Sequence, residues 1–371
     1  MSSSPPRVVI AGVGDTGLLS AIHLSRHADV VGISTKPGLL SGQELGMRLA
    51  TPQRWARDYW VEFGRYRRLD RARLIHGEAV GLDPAERRVV VRRSDGVEQV
   101  EPYDVLVVAS GVTNGFWRRP DVQTADEVSA SLAAAHERLA SAGSVLVIGG
   151  GAAAVSSAFQ LATRFPTTRV ALCFPGDAAL PQHSRRVWTQ VSARLAAAGV
   201  ELRAGHRAVV PEGFALDAVT DAPVSWASGQ APSTADAVVW AIGRVRPNTA
   251  WLPPGLLDER GFVVVTPSLQ LPGHPEIFAV GDVAATDPLR SSARNRADRL
   301  VARNIRAHLA GGRLASFEPP RRRWGSVLGV EPDGLRVFAP AGRAFRFPGW
   351  SLDSVLQPWI VRRGIYRGVR R

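Results

Sequence analysis

Two glycine-rich turns are the residues of this sequence best suited to bind a phosphate group. The first turn, GVGDTG, places small residues at Gly12, Gly14 and Gly17. The second turn, GGGAAA, places them at Gly149, Gly151 and Ala154. In such a turn the backbone N–H groups at a helix start face a pyrophosphate with no side chain in the way. A single copy also fits an ordinary tight turn, but two copies in the same context predict two dinucleotide sites.

Each turn lies inside a strand, turn, helix, strand unit. The first unit has apolar runs at Arg7–Ala11 and 29–33, with the helix-like LLSAIHLSRH between them. The second has apolar runs at Ser144–Ile148 and 169–174, with the helix-like VSSAFQLATRF between them. The second copy follows the first by 137 positions. The sequence therefore repeats the architectural unit that a dinucleotide-binding fold requires.

The remaining elements imply that the second unit is inserted in the first. Residues 87–93 and 98–101 are predicted to form a hairpin, and residues 105–109 a buried strand. Further predicted elements are strands at 237–242, 261–265 and 276–280 and a helix at 291–309. At 371 residues the chain exceeds the roughly 250–300 residues at which one core stops growing. We predict an α/β fold with two Rossmann-like dinucleotide-binding domains, the second inserted in the first, and a small C-terminal α+β segment.

Composition excludes several kinds of site. Cys173 is the single cysteine of the sequence, so an internal disulfide, a CxxC redox pair and a multi-cysteine metal site are excluded. The eight histidines show no zinc-binding spacing, and no metal is expected. Redox chemistry would therefore need a bound cofactor. The sequence has neither about 20 unbroken apolar residues nor a signal-peptide pattern at its start, which predicts a cytoplasmic protein.

The formal charge of +13 comes from 45 arginines and one lysine, Lys36, set against 33 acidic residues. We interpret the arginine excess mainly as a reflection of the gene's base composition, because arginines occur in every segment. No recognisable base-reading element accompanies the charge, so no nucleic-acid partner is expected. Residues 313–371 are the most basic region, with 12 Arg against 4 Asp plus Glu.

Three further motifs carry a family resemblance. They are YDVLVVASG at 103–111, DAVVWAIGRVRPN at 236–248 and PEIFAVGD at 275–282. With the two turns, they make residues 7–312 resemble the FAD-dependent pyridine-nucleotide oxidoreductases, in the branch of apoptosis-inducing factor, ferroptosis suppressor and type II NADH dehydrogenases. The resemblance implies an FAD domain at 1–115 and 250–312 and an NAD(P) domain at 116–249.

The resemblance also implies which residues hold the two cofactors. Asp282 is expected to accept hydrogen bonds from the ribityl chain of FAD; the alternative is a cap on the following segment. The residues expected at FAD are Gly12, Gly14, Asp15, Thr16, Gly17, Ser34, Lys36, Ala109, Ser110, Gly111, Gly281 and Asp282. Those expected at NADPH or NADH are Gly149, Gly151, Ala152, Ala154, Arg185, Arg186, Ile242 and Gly243.

The activity that the resemblance implies needs no protein nucleophile. NAD(P)H passes a hydride to FAD, and the electrons continue to a quinone-like or other small acceptor. The absence of a CxxxxC pair separates this chain from the disulfide reductases of the same fold. Two alternatives stay open: a reductase for a ferredoxin-type carrier protein, and a non-catalytic flavin or nucleotide sensor.

The chain departs from the family pattern at four places. Ser34 stands where an acidic residue usually holds the adenosine ribose, and Lys36 is expected to meet phosphate or ribose, or to be a solvated turn residue. Arg185 and Arg186 follow the corresponding strand of the second unit and slightly favour NADPH, unless they form a solvated face. Glutamates common in relatives are replaced by Ser156, expected near the flavin, and Gln160. Leu289 or Arg290 stands where some relatives place a lysine beside the flavin.

Two aromatic regions have more than one interpretation. Trp55, Tyr59, Trp60 and Phe63 have near-helical spacing, which favours core packing over an acceptor pocket. The basic and aromatic residues of 313–371 match the tail by which type II NADH dehydrogenases lie at a membrane. A cap on the flavin domain and a homodimer contact are the alternatives for that segment.

Overall fold

The computed structural model describes residues 4–42, 44–115, 119–243, 245–286, 297–320, 324–339 and 341–370. The strands are β1 (Arg7–Ala11), β2 (Asp29–Ser34), β3 (Gly38–Leu40), β4 (Trp60–Glu62), β5 (Ala72–Asp83), β6 (Arg88–Arg93), β7 (Glu98–Pro102), β8 (Val105–Val108), β9 (Val112–Thr113), β10 (Ser144–Ile148), β11 (Arg169–Cys173), β12 (Glu201–Arg203), β13 (Ala237–Trp240), β14 (Arg246–Pro247), β15 (Gln270–Leu271), β16 (His274–Ala279), β17 (Gly325–Glu331), β18 (Gly334–Phe338) and β19 (Ala344–Pro348). The helices are α1 (Asp15–Leu24), α2 (Leu45–Ala50), α3 (Pro52–Tyr59), α4 (Ala125–Ala140), α5 (Ala152–Arg164), α6 (Arg185–Ala197), α7 (Ala297–Leu309), α8 (Gly349–Ser351) and a π-helix, Leu352–Ile365.

The first sheet has eight strands in the order β15-β16-β8-β1-β2-β5-β6-β7. Its centre is parallel, because β1 pairs in parallel with β2 and β8, β2 with β5, and β8 with β16. The predicted hairpin forms the antiparallel edge β6-β7. Apolar side chains of α1 and α7 pack on one face of this sheet. The parallel strands therefore bring their carboxyl ends, which are the positions of the first glycine turn, Ser34, Ala109 and Gly281, to one edge.

The second sheet has four parallel strands in the order β12-β11-β10-β13. Helices α5 and α6 pack on it through a core that includes Val155, Val187 and Val191. The chain passes from the first sheet to the second after β9 and returns at β14, and these two strands pair with each other. The predicted insertion of one dinucleotide-binding unit in the other is confirmed.

Residues 261–265 do not form the predicted strand. Val263 makes only isolated bridges, to Leu257 and Ala284. Gly261 adopts φ +79°, and its amide closes a turn onto the carbonyl of Asp258, so an extended run cannot start there. The helix predicted for 291–309 is present as α7 from Ala297; its earlier residues lie outside the described part of the chain.

The C-terminal segment forms a three-stranded antiparallel sheet, β17-β18-β19, followed by α8 and the π-helix. Val327, Leu328 and Phe338 share a core with Val155 and Phe159 of α5. The segment therefore packs on the helix that follows the second glycine turn. Strand β19 was not predicted from the sequence. In it Phe345 and Phe347 alternate with Arg346, and no residue is fully buried.

Candidate functional site

A cleft of about 890 Å³ lies at the carboxyl ends of β1, β2, β8 and β16. Its size is typical of a site for a large organic ligand. The predicted FAD residues that line it are Gly12, Gly14, Asp15, Thr16, Ser34, Lys36, Ala109, Ser110, Gly111, Gly281 and Asp282. The cleft therefore brings together segments of the chain that are up to about 270 residues apart, as the parallel sheet requires.

The glycines of the first turn have two different surroundings. Gly12 has φ +105°, and a methyl group there would overlap the carbonyl oxygen of Ala109. Gly17 faces the carbonyl oxygen of Gly12 in the same way. Gly14, by contrast, has no protein atom within 4 Å of the position a Cβ would take. Gly12 and Gly17 thus allow close backbone packing, whereas Gly14 keeps open space in the cleft for a ligand.

Asp15 and Thr16, in the first turn of α1, contact other segments that line the cleft. The Asp15 carboxylate accepts hydrogen bonds from the Ser41 hydroxyl (3.1 Å) and from the Gly42 N–H (3.3 Å). Thr16 packs against Gly281, whose φ of +82° and close contact with Thr16 both disfavour a larger residue. This contact holds the segment that carries Asp282 against the first glycine turn. The two motifs that most strongly marked the family therefore face one cavity.

The end of β8 is tied to the segment by which the chain returns from the second sheet. The Ser110 hydroxyl donates to the carbonyl oxygen of Asn248 (2.8 Å), and the Asn248 amide donates back to the Ser110 carbonyl (3.0 Å). The Thr113 hydroxyl donates to the Asn248 side-chain oxygen (2.7 Å). Asn248 was not among the predicted site residues, although it ends the motif at 236–248 and lines the cleft. It ties the end of β8 to the β9-β14 crossing at the cleft wall.

Lys36 lies at the carboxyl end of β2 with only 7% of its surface exposed. Its ammonium donates to the carbonyl oxygens of Arg119 (3.2 Å) and Asp121 and to the Thr35 hydroxyl (3.4 Å). Burial lowers the pKa of Lys36 to about 8, and the nearby Asp121 carboxylate partly opposes that shift. Ser34 is buried beside it, and its hydroxyl oxygen accepts a hydrogen bond from the backbone N–H of Lys36 (3.3 Å). Three acceptors thus occupy the three donors of the ammonium.

The second glycine turn repeats the backbone geometry of the first. Gly149 has φ +140°, and a methyl group there would overlap the carbonyl oxygen of Ala241. Gly151 has no protein atom within 4 Å of its Cβ position, and α5 begins at the next residue, Ala152. Ala154 is buried against Gly149. This turn therefore also presents open space at a helix start.

The other predicted NAD(P) residues lie on further elements of the second unit. Ile242 and Gly243 follow β13, the strand beside β10. Arg185 and Arg186 begin α6, and both are exposed. Arg185 lies 3.5 Å from the Asp177 carboxylate in the loop after β11. The residues lining the 890 Å³ cleft do not include this turn, so the two turns serve separate spaces.

Ser156 and Gln160 hold neighbouring elements together. The Ser156 hydroxyl accepts the Gly46 N–H of α2 (3.1 Å). The Gln160 amide donates to the carbonyl oxygens of Leu328 (2.8 Å) and Val330 (2.7 Å) in β17. Both side chains are buried, and Ser156 is not among the residues that line the cleft. Leu289 and Arg290, also expected near the flavin, lie outside the described residues.

The aromatic cluster and Cys173 have structural roles. Trp55 and Phe63 are buried, and Trp55 stacks on Tyr59 with ring centroids 6.0 Å apart, which confirms core packing for the aromatic cluster. Cys173 is buried, and burial raises the pKa of its thiol to about 11, so it is a poor nucleophile. Over the described ranges, no group of three or more His, Cys, Asp or Glu side chains is arranged to hold a metal ion.

The residues of the cleft fit a dinucleotide. Gly14 leaves open space at the start of α1, where the helix dipole favours a pyrophosphate. Asp282 adds carboxylate acceptors for hydroxyl groups at a second edge of the same cavity. FAD contains both a pyrophosphate and a ribityl chain, so the donors and acceptors present match the group that the resemblance implies.

Comparison with known proteins gives the same family. The chain is 25% identical over 379 residues to the type II NADH:quinone oxidoreductase Ndh of Mycobacterium tuberculosis, covering 86% of this chain and 76% of the relative. It is 24% identical over 327 residues to ferroptosis suppressor protein 1 of Xenopus tropicalis, covering 84% and 83%.

Among solved structures, the fold is similar to that of reduced Bacillus anthracis CoADR-RHD, with a TM-score of 0.65 and 20% identity. It is equally similar to a ferredoxin reductase from Rhodopseudomonas palustris, with a TM-score of 0.64 and 19% identity. These matches cover 91% of this chain in both cases but 62% and 88% of the respective solved chains.

A family model for pyridine nucleotide-disulphide oxidoreductases matches residues 6–303. Members of this family bind FAD and NADH or NADPH, which confirms the predicted enzyme class and cofactor class. The chain belongs to the pyridine nucleotide-disulphide oxidoreductase family.

Proposed function

We propose that this chain is an FAD-dependent NAD(P)H oxidoreductase that reduces a quinone-like or other small acceptor. One observation carries the proposal: the first glycine turn and Asp282, which are distant in sequence, face a single cleft of about 890 Å³. The second glycine turn is not among the residues that line this cleft, so a second ligand would bind at a separate place. Two separate glycine turns match a flavin cofactor and a nicotinamide co-substrate.

The residues take the following roles in this proposal. The N–H groups at the start of α1 bind the pyrophosphate of FAD, and Asp282 accepts hydrogen bonds from its ribityl hydroxyls. The N–H groups at the start of α5 bind the pyrophosphate of NAD(P)H. When bound, FAD supplies the redox chemistry by taking a hydride from NAD(P)H and releasing electrons to the acceptor. The protein supplies position and electrostatics.

The domain division follows the same assignment. Residues 1–115 and 250–312 would form the FAD domain, and residues 116–249 the NAD(P) domain. The crossings at β9 and β14, joined by Asn248, support these boundaries. A quinone-like acceptor is favoured because the Mycobacterium tuberculosis relative is named as an NADH:quinone oxidoreductase.

An anaerobic spectral titration tests this function. The purified protein should carry one flavin per chain, and NADPH or NADH should bleach the visible absorbance of the oxidised flavin. Addition of a soluble quinone should restore the absorbance. A protein without flavin, or a flavin that neither nicotinamide bleaches, would contradict the proposal. Stoichiometric flavin with very slow bleaching would favour the sensor alternative.

We propose further that the C-terminal segment contacts an anionic membrane surface. Trp350 is 74% exposed and Trp359 is 57% exposed, and the Arg363 guanidinium lies 4.8 Å from the ring centre of Trp359. Aromatic and basic residues together suit the headgroup region of a bilayer. Among the described residues, no helix has the length and apolar character needed to cross a membrane. Contact at the surface is therefore the mode of binding proposed.

Vesicle co-sedimentation tests the membrane contact. The protein should sediment with vesicles that contain phosphatidylserine and not with neutral vesicles, and Trp350→Ser with Trp359→Ser should reduce the bound fraction severalfold. Val97→Ser is a matched control, because Val97 is also exposed but lies in the turn after β6. If the double variant binds vesicles normally but dissociates a dimer in gel filtration, the segment is a dimer contact instead.

A further inference from the structure

We propose that Asp121 supplies the carboxylate that holds the adenosine ribose of FAD, and that Lys36 is the positioning residue that places it there. This inference rests on the proposed function, since it assumes FAD in the cleft. It concerns the departure noted at Ser34, where the family pattern has an acidic residue and this chain has a hydroxyl.

Residues 119–123 form a strap across the carboxyl end of β2 and the adjacent part of β5, where His76 pairs with Ser34. Lys36 bonds to the carbonyl oxygens of Arg119 and Asp121. The Gln123 N–H donates to the Thr35 carbonyl (2.9 Å), and the His76 ring hydrogen-bonds to the Gln123 carbonyl (3.0 Å). The strap is therefore fixed at both ends to the two strands beside which an adenosine ribose lies in this fold.

Lys36 itself is poorly placed to bind the ribose. Its three N–H donors already have three acceptors, and the side chain is almost fully buried. An ammonium also cannot accept a hydrogen bond, whereas ribose hydroxyls need acceptors when they donate. Lys36 therefore acts indirectly, by fixing the strap backbone that carries Asp121.

Asp121 has the properties that the site needs. It lines the cleft, and its carboxylate lies close enough to Lys36 to interact electrostatically with the ammonium. Asp121 is exposed, and no described residue donates a hydrogen bond to its carboxylate, so its oxygens can accept from a ligand. Asp15, by contrast, is bonded to Ser41 and Gly42. Glu78, the carboxylate on β5, is ion-paired with Arg92 at 3.2 Å.

The two acidic residues left in the cleft lie elsewhere. Asp282 is at the end of β16, on the far side of β8 from β2. Asp217 belongs to the inserted unit, and its carbonyl oxygen accepts a hydrogen bond from the Arg119 guanidinium. Asp121 is thus the carboxylate that is both next to the end of β2 and available to a ligand.

Flavin affinity of the full-length chain, stripped of flavin and reloaded, tests the inference. Asp121→Asn should weaken FAD about tenfold, as expected for loss of a charged hydrogen bond, while FMN, which has no adenosine, should bind as before. Asp126→Asn is the matched control, because Asp126 is an exposed carboxylate five residues away that does not line the cleft. It should leave both affinities unchanged.

Analogues of FAD that lack the 2′ or 3′ hydroxyl of the adenosine sharpen the test. One of them should bind the wild-type chain about tenfold more weakly than FAD, and Asp121→Asn should weaken that analogue no further. Lys36→Met should weaken FAD but not FMN, and it should speed hydrogen exchange of the Gln123 amide, which is bonded to the Thr35 carbonyl. If Lys36 instead binds FAD directly and does not hold the strap, the substitution should leave that exchange unchanged.

These experiments distinguish a wrong assignment of Asp121 from a wrong proposed function. If Asp121→Asn binds FAD as tightly as the wild type, or loses FMN equally, the assignment of the ribose to Asp121 is overturned while the flavin site stands. If the wild-type chain binds neither FAD nor FMN, the proposed function itself is overturned.

Discussion

The two glycine turns have the same backbone geometry and opposite surroundings. Gly12 and Gly149 both adopt positive φ and both pack on a carbonyl oxygen of the neighbouring strand end. The first turn opens into a cleft that is bounded by the strap and by Asp282. The second lies outside that cleft and is packed against Phe174 and Ala179 at Gly150. The local motif thus fixes the backbone geometry of each turn, whereas the surrounding segments differ; in the proposed function that difference separates the FAD site from the NAD(P)H site.

The helices after the two turns differ in the same sense. Helix α1 packs on α7, within the layer that covers the first sheet. Helix α5 instead uses Ser156 and Gln160 to hold α2 and the C-terminal sheet. The second unit therefore connects both other parts of the molecule, and the positions that carry glutamates in many relatives serve that connection here.

The largest effects are expected at the two glycines with positive φ. Gly12→Ala combines left-handed strain with overlap on Ala109 and should cost about 3 kcal/mol or more of unfolding free energy and remove the flavin. Gly149→Ala should cost a similar amount but disturb the second sheet, so residual folded protein should keep FAD. Denaturant unfolding and flavin content of both variants measure this. Equal loss of flavin in both would contradict separate roles for the turns.

A smaller effect is expected in the pH dependence of stability. Because burial lowers the pKa of Lys36 from 10.5 to about 8, the unfolded chain binds more protons at this group between those values. The unfolding free energy of the wild type should therefore rise with pH in that window relative to Lys36→Met, by at most about 3 kcal/mol. Asp121, Arg48, Arg119 and Glu127 are the charged groups that act on it.

Lys36→Arg is the control for this titration, because an arginine stays charged throughout the window. Its difference from Lys36→Met should not change with pH. If the difference in unfolding free energy between the wild type and Lys36→Met does not change with pH, the Lys36 amine is not buried in the folded protein.

The smallest expected effect concerns the choice of nicotinamide. Arg185→Ser with Arg186→Ser should raise the KM for NADPH about tenfold and leave the KM for NADH unchanged, if these guanidiniums bind a 2′-phosphate. Arg203→Ser is a suitable control, since Arg203 is paired with Glu201 in β12 of the same sheet. Equal KM values for NADPH in all variants would assign Arg185 and Arg186 to a solvated face.

Local signals made most of the fold predictable. A strand end, a glycine turn and a helix start are adjacent in sequence, and both turns, the hairpin β6-β7 and most strands lie where they were predicted. The motif ending in Asp282 was readable for the same reason. The contacts of Lys36 were not, because its partner Asp121 is 85 positions away in a segment with no periodic pattern. Gln160 likewise gains its role only from β17, 168 positions later.

The central claim, that the two turns bind different cofactors, is tested most directly by Gly14→Val and Gly151→Val. Both glycines have ordinary φ, of −78° and −87°, and no protein atom within 4 Å of the Cβ position, so the substitutions should perturb a ligand rather than the fold. In an anaerobic titration with NADPH and NADH, Gly14→Val should be folded but free of flavin, and Gly151→Val should carry flavin that neither nucleotide bleaches at a normal rate. A Gly14→Val protein with full flavin, or a Gly151→Val protein bleached as fast as the wild type, would contradict the assignment.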